Sequence, residues 1–167
     1  MDHMTSLHMV GEESPLFDAI AHTLYSQQAP EAHLFKAMYK KGSIVLKDKV
    51  IDVNALNDTG SLHKSYISNK IVKANASAFS PYMLDHNGLV RLADGITVIP
   101  TNKLVRVPII FIGKDGTHHS GEVDCVVFPN MGSNDLIIGL PDIIKSFSKL
   151  HMEMIQDAVD TLVSQYQ

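Results

Sequence analysis

The chain has 167 residues, of which 45% are hydrophobic and 19% charged, with a formal net charge of −4. That balance excludes a disordered chain, and with no basic run longer than Lys40-Lys41 it gives no footprint for nucleic acid. No apolar stretch reaches the roughly 18 residues of a membrane-spanning helix, residues 1–12 lack the apolar core of a secretory signal, and the single Cys125 excludes an internal disulfide and points to a reducing compartment.

Residues 1–13 are expected to be loose. Ser14-Pro15 then offers a helix start, with Ser as N-cap and Pro at the first helical position. Leu16, Phe17, Ile20, Ala21, Leu24 and Tyr25 follow on one face at helical spacing, and Gln27-Gln28-Ala29-Pro30 ends the element. A second short helix is read over residues 32–39. Residues 1–41 thus form an N-terminal helical extension. Residues 42–56 read as two strands with a turn near Asp48-Lys49, and the second strand runs into Asn57-Asp58-Thr59-Gly60-Ser61.

The insert over 69–86 has no clear periodicity and is long for a loop, so it holds a helix or a mobile segment. Asn87-Gly88, Asp94-Gly95 and Lys114-Asp115-Gly116 are turn signals between β-branched runs. Residues 105–112 and 122–128 read as strands, with Pro108 arguing for an edge or a bulge in the first. Repeated short strands with tight turns predict a small closed β-barrel. Asn134-Asp135-Leu136-Ile137-Ile138-Gly139 is an apolar strand, followed by a short helix over 141–149 with Pro141 in its first turn.

Leu150, Met152 and Met154 alternate as a strand would, but Ile155, Ala158, Val159, Leu162, Val163 and Tyr166 make a helical face. A helix is expected over about 155–165, starting as early as Leu150. Its stripe must be buried, either on its own barrel or, the preferred reading, against a second subunit. His118-His119 with Asp115 or Glu122 lack metal-ligand spacing, so no metal or other cofactor is expected. The eight methionines read as core filler.

Asp58-Thr59-Gly60 at the end of a strand, Val90-Arg91-Leu92-Ala93-Asp94-Gly95 after it, and the Ile-Ile-Gly strand 81 positions beyond Asp58 form one ordered pattern. In that pattern the chain resembles the retropepsin-like aspartic peptidases, most closely those of long-terminal-repeat retrotransposons, over roughly residues 42–148. The resemblance implies a mainly β fold, a homodimeric acid-protease barrel over 42–149; the helices read from residue spacing in 1–41 and in the tail over 150–167 flank it. It implies an endopeptidase in which Asp58 of each of two subunits forms the catalytic dyad, with Thr59 locking the two loops together and Gly60 allowing the tight turn. Ser61, Leu62, His63 and Ile137 would line substrate subsites. Ala93, Asp94 and Gly95 would form the tip of a hairpin flap over residues 90–99. Gly139 would pack beneath the catalytic loop. The implied task is processing of a retroelement polyprotein in the cytoplasm, within retroelement particles, or by a host protein descended from such an element. The helical tail departs from the interleaved terminal strands of retroviral relatives. Asn57 departs too, because relatives carry an apolar residue before the catalytic Asp. That substitution keeps open a second reading, an inactive dimerisation or peptide-binding module on the same barrel.

Overall fold

In β6 (Val98–Ile112), Val105, Val107, Ile109 and Phe111 point inward at every second position, while Arg106, Pro108 and Ile112 point out. This period-two alternation is what a strand with one buried face requires. The same logic builds β2 (Tyr39–Val45), β3 (Val50–Asp58) and β7 (His118–Phe128). The computed structural model describes residues 8–9, 37–91, 96–129 and 131–166. The remaining strands are β1 (His8–Met9), β4 (Ser65–Ser68), β5 (Met83–Arg91) and β8 (Leu136–Gly139). The helices are α1 (Asn69–Ala74), α2 (Ala76–Phe79), a 3₁₀ turn (Ser80–Tyr82), α3 (Leu140–Ser146) and α4 (Ser148–Ser164).

The sheet runs β1-β5-β6-β2-β3-β8-β4-β7, and β7 returns to pair with β6. Six strands therefore close into a barrel, with β5 and β1 carried outside the ring on the first half of β6. The protein is mainly β with flanking helices, as expected. Most pairs are antiparallel. The exceptions are β3 with β8 and β4 with β7. Strand β8 is inserted between β3, on which it lies parallel, and β4, on which it lies antiparallel. All four of its residues are buried, because both of its faces are covered.

The alternation of β8 separates two cores. Leu136 and Ile138 face the barrel interior with Ile44, Ala55, Val107, Phe111, Val123 and Phe147. Ile137 faces a smaller cluster with Leu56, Tyr66, Val90, Val126, Phe128 and Met131. Helix α3 leads through Phe147 into α4, and Phe147 meets the ring of Phe111 edge-on at 5.2 Å. That contact ties the terminal helices to the barrel. Cys125 lies in the same interior, and burial raises its thiol pKa well above the ordinary value.

Several expectations need correction. Asn87-Gly88 is not a turn; it lies inside β5, beside a register irregularity between Asp85 and Gly88. The insert after Ser68 contains α1, α2 and the 3₁₀ turn. Their start signal is Ser68, whose hydroxyl accepts the Lys70 N–H at 3.2 Å. Tyr39 begins β2 rather than ending a helix, and His8–Met9 pair with Val90 and Arg91 rather than being loose. Helix α4 spans Ser148–Ser164, so the strand-like alternation of Leu150, Met152 and Met154 is overridden. Its buried side chains are Leu150, His151, Met154 and Ala158, whereas Ile155, Val159, Val163 and Tyr166 are exposed. Pro108 sits where expected: β5 pairs up to Val105 and β2 from Ile109, so at Pro108 only β7 pairs with β6. Gly116, at φ +85°, supplies the left-handed residue of the Lys114–Gly116 turn. The helix expected from Ser14, the greater part of that over 32–39, and the hairpin tip at Asp94-Gly95 lie outside the described residues.

Because Phe111 is fully buried and joins β6 to Phe147, Phe111→Ala is expected to cost about 3–5 kcal/mol. Urea unfolding followed by circular dichroism measures this directly.

Candidate active site at the end of strand β3

Strand β3 delivers Asp58 as its last residue, opposite Gly139 of β8. The chain then turns at once. The Asp58 carboxylate oxygen Oδ1 accepts the Gly60 N–H at 2.9 Å, and the Asp58 carbonyl accepts the Ser61 N–H at 3.0 Å. An aspartate capping the amide two residues on is a local turn device that short acidic side chains favour. Ser61 is buried, and its hydroxyl donates to the Lys64 carbonyl at 2.7 Å, closing the loop on itself.

The loop is fastened to the end of β8. The Leu140 N–H donates to the Ser61 carbonyl at 2.8 Å. The Gly139 N–H donates to the Ser65 hydroxyl at 2.9 Å, and that hydroxyl donates to Asp142 Oδ2 at 2.6 Å. A Cβ at position 139 would overlap the Lys64 carbonyl and stand 3.0 Å from the carbonyl oxygen of Ser61. Only glycine allows this approach, as the sequence suggested.

Asp58 is 5% exposed, and its Oδ2 is buried with no hydrogen-bond partner among the described residues. Desolvation raises its carboxyl from the usual 3.8 to about 6, and the N–H groups of Gly60 and Ser61 offset part of that rise. The group is thus a buried acid able to hold or release a proton near neutral pH.

The other anticipated residues divide. Thr59 and His63 are exposed, and Leu62 is 45% exposed, so these three edge the loop on its open side. Ile137 is fully buried between its register partners Leu56 and Tyr66. It lies on the face opposite Ile138, but in the single chain it lines no open pocket. Ala93, Asp94 and Gly95 lie outside the described residues; Val90, at the base of that hairpin, packs in the same cluster as Ile137. Asn57 is buried. Its Nδ2 donates to the Met154 sulfur at 3.4 Å, a weak acceptor, and its Oδ1 has no partner among the described residues.

Sequence reasoning missed Ser65 and Asp142. Ser65 reads as an ordinary strand start and Asp142 as an ordinary acid in a first helical turn, and neither carries a local signal of the contact. Among the described residues no group of three or more His, Cys, Asp or Glu is arranged for a metal. His119 instead stands 3.3 Å from Glu153, between β7 and α4. A broad groove lined by Lys41, Ser43, Asp52, Asn54 and Ile112 includes none of residues 58–65. Comparison of the chain with protein-family models, curated proteins and solved structures gave no match.

Two outcomes are expected. Gly139→Ala forces backbone apart where no side chain can rotate away, and should destabilise the protein by about 1–3 kcal/mol in urea unfolding. The second concerns pH. A carboxyl raised in the fold favours the protonated form, so its stabilising contribution is complete below about pH 3.8 and is lost as pH rises through about 6. Asp58→Asn removes the cost of ionisation. It should stabilise the single chain by about 3 kcal/mol above pH 7 and by nothing below pH 4. The difference between variant and parent is the readout, because burial lowers the pKa of His151 and its contribution runs the opposite way with pH.

Proposed function

We propose that this chain is one half of a homodimeric aspartic endopeptidase, with Asp58 of each subunit forming a shared catalytic dyad. The observation that carries the proposal is the buried Asp58 carboxylate, fixed through Oδ1 by its own turn while Oδ2 lacks a partner. A buried polar atom without a partner is costly. A second carboxyl at hydrogen-bond distance, sharing one proton with the first, would satisfy it. The ordered pattern of Asp58-Thr59-Gly60 and Ile137-Ile138-Gly139, now tied through the Leu140 N–H and the Ser61 carbonyl, supports the same reading.

The chemistry follows from two carboxyls holding one proton. The ionised member takes a proton from a water whose oxygen attacks the peptide carbonyl carbon. The protonated member gives its proton to the carbonyl oxygen. The gem-diol intermediate collapses as the C–N bond breaks: one of its hydroxyl protons returns to the now ionised carboxylate, and the leaving nitrogen takes the proton held by the other, so the dyad again holds one. Close approach of two like charges splits the two ionisations, and they belong to the pair rather than to either residue, as is general for aspartic-protease dyads. Peptide substrate binds as an extended strand between the β5–β6 hairpin and the loop, where exposed Thr59, Leu62 and His63 offer contacts. The substrate class is an unfolded or flexible polyprotein segment, and a retroelement polyprotein is the source the motif order favours.

Asn57 favours one competing reading, in which the same dimer binds peptide without cutting it. A peptide-library assay separates the two. Cleavage is expected to show a bell-shaped pH dependence with its optimum in mildly acidic to near-neutral solution. It falls in acid when both carboxyls are protonated and in alkali when both are ionised. Asp58→Asn should abolish cleavage by about 10³-fold or more while the dimer persists. Binding without cleavage by the parent chain would favour the inactive module, and undiminished cleavage by the purified variant would move the chemistry elsewhere.

A further inference from the structure

Helix α4 has two apolar faces, and the barrel covers only one of them. At about 100° per residue, Leu150, His151, Met154 and Ala158 share one arc, and these are the buried side chains. Met152, Ile155, Val159 and Val163 share the adjacent arc and all four are exposed, as is Tyr166 just past the end of the helix. Their spacing of three, four and four residues makes a continuous stripe over three turns.

Charge argues for the occupant. Between residues 150 and 166 the charged groups are Glu153, Asp157 and Asp160, with no Lys or Arg. Glu153 and Asp157 lie on the third face of the helix, and Asp160 stands at the edge of the stripe, about 60° round from Val163. The first two are held on that face: Lys114 pairs with Asp157 at 2.8 Å and its backbone N–H donates to Glu153 at 3.0 Å. The positions nearest the stripe, Gln156 and Leu162, carry no charge. Two copies of this stripe can therefore meet with no charge inside the contact and Asp160 at its rim. Together they offer on the order of 1,000 Å² of apolar surface, about the threshold of a specific interface.

The buried face of α4 reaches the end of β3, because the Met154 sulfur accepts the Asn57 amide at 3.4 Å one residue before Asp58. From these observations we infer that the α4 stripe is the surface on which a second copy of this chain docks, bringing the two Asp58 loops together. The inference rests on the peptidase reading for the pairing of the loops; the stripe itself is independent of it.

The test uses the full chain with two double variants at exposed positions, I155E/V159E and I155K/V159K. Mass in solution by light scattering, circular dichroism and peptide cleavage are followed across concentration. Each variant alone should keep its fold and weaken the dimer by about ten-fold or more, because buried like charges oppose apolar contact. Cleavage should be lost at dilute concentration and return on concentrating. An equal mixture of the two variants should dimerise more tightly than either alone, which an unfolded variant could not do. If the parent dimerises and cleaves and both variants do so equally well, the interface lies elsewhere, as it would were residues 10–36 of the same chain to cover the stripe. Stripe-dependent dimerisation without cleavage upholds the interface and sinks the peptidase reading. A parent chain that is monomeric at every concentration overturns both.

Discussion

The loop after Asp58 and the end of β8 at Gly139, where the strand passes directly into α3, are held so closely that a methyl group cannot fit between them. The contact depends on β8 being inserted between β3 and β4, parallel to one and antiparallel to the other. Backbone N–H groups at the β8–α3 junction then find partners on the loop and on β4: Leu140 N–H donates to the Ser61 carbonyl, Gly139 N–H to the Ser65 hydroxyl. A loop that would otherwise lie over the surface with free rotation becomes part of the core's boundary. The carboxylate of Asp58 inherits that rigidity, because its own turn is one of the fastened parts. Firm placement of a reacting group on regular elements is what a catalytic or binding site requires.

The same placement is costly. Burying Asp58 removes water from a charged form that only two backbone amides partly replace. Elsewhere the charged side chains take a less demanding arrangement. Arg106 with Asp124 and Lys103 with Asp85 pair across neighbouring strands on the exposed surface, where such pairs add little to stability. The contrast is informative: among the described residues Asp58 is the buried carboxylate, and it stands without such a partner. A molecule selected for stability alone would put an apolar side chain at position 58.

How much could be read in advance depended on whether the signal was local. Strands β2, β3, β6, β7 and β8 were legible because their alternation and their turns lie within short windows. The closed barrel followed from their number and spacing, and the loop's glycines from the order of Asp58-Thr59-Gly60 and Gly139. Helices α1 and α2 were illegible because six- and four-residue helices are too short for periodicity, leaving only the Ser68 cap as a clue. Asn87-Gly88 carries a strong turn signal, yet the β5–β6 ladder absorbed it as an irregularity. In α4 the apolar residues on both faces look alike in sequence, and the packing of Met154 and Ala158 decided which face went inward. Ser65 and Asp142 meet across 77 positions, and no window contains both.

That long separation has a temporal consequence. Strand β3 and its turn signals occupy residues 50–60, but the strand that encloses Asp58 comes some eighty positions later. Parallel pairing over such a distance is entropically slow to form and follows the local hairpins. Unfolded, the carboxyl at position 58 is solvated and ionises as an ordinary aspartic acid. Enclosure raises its affinity for a proton, so between about pH 4 and 6 folding takes one up from solvent. Proton uptake thereby becomes a clock for assembly: a pH-indicator dye in a stopped-flow refolding experiment would time the closing of this loop separately from formation of the barrel's hairpins.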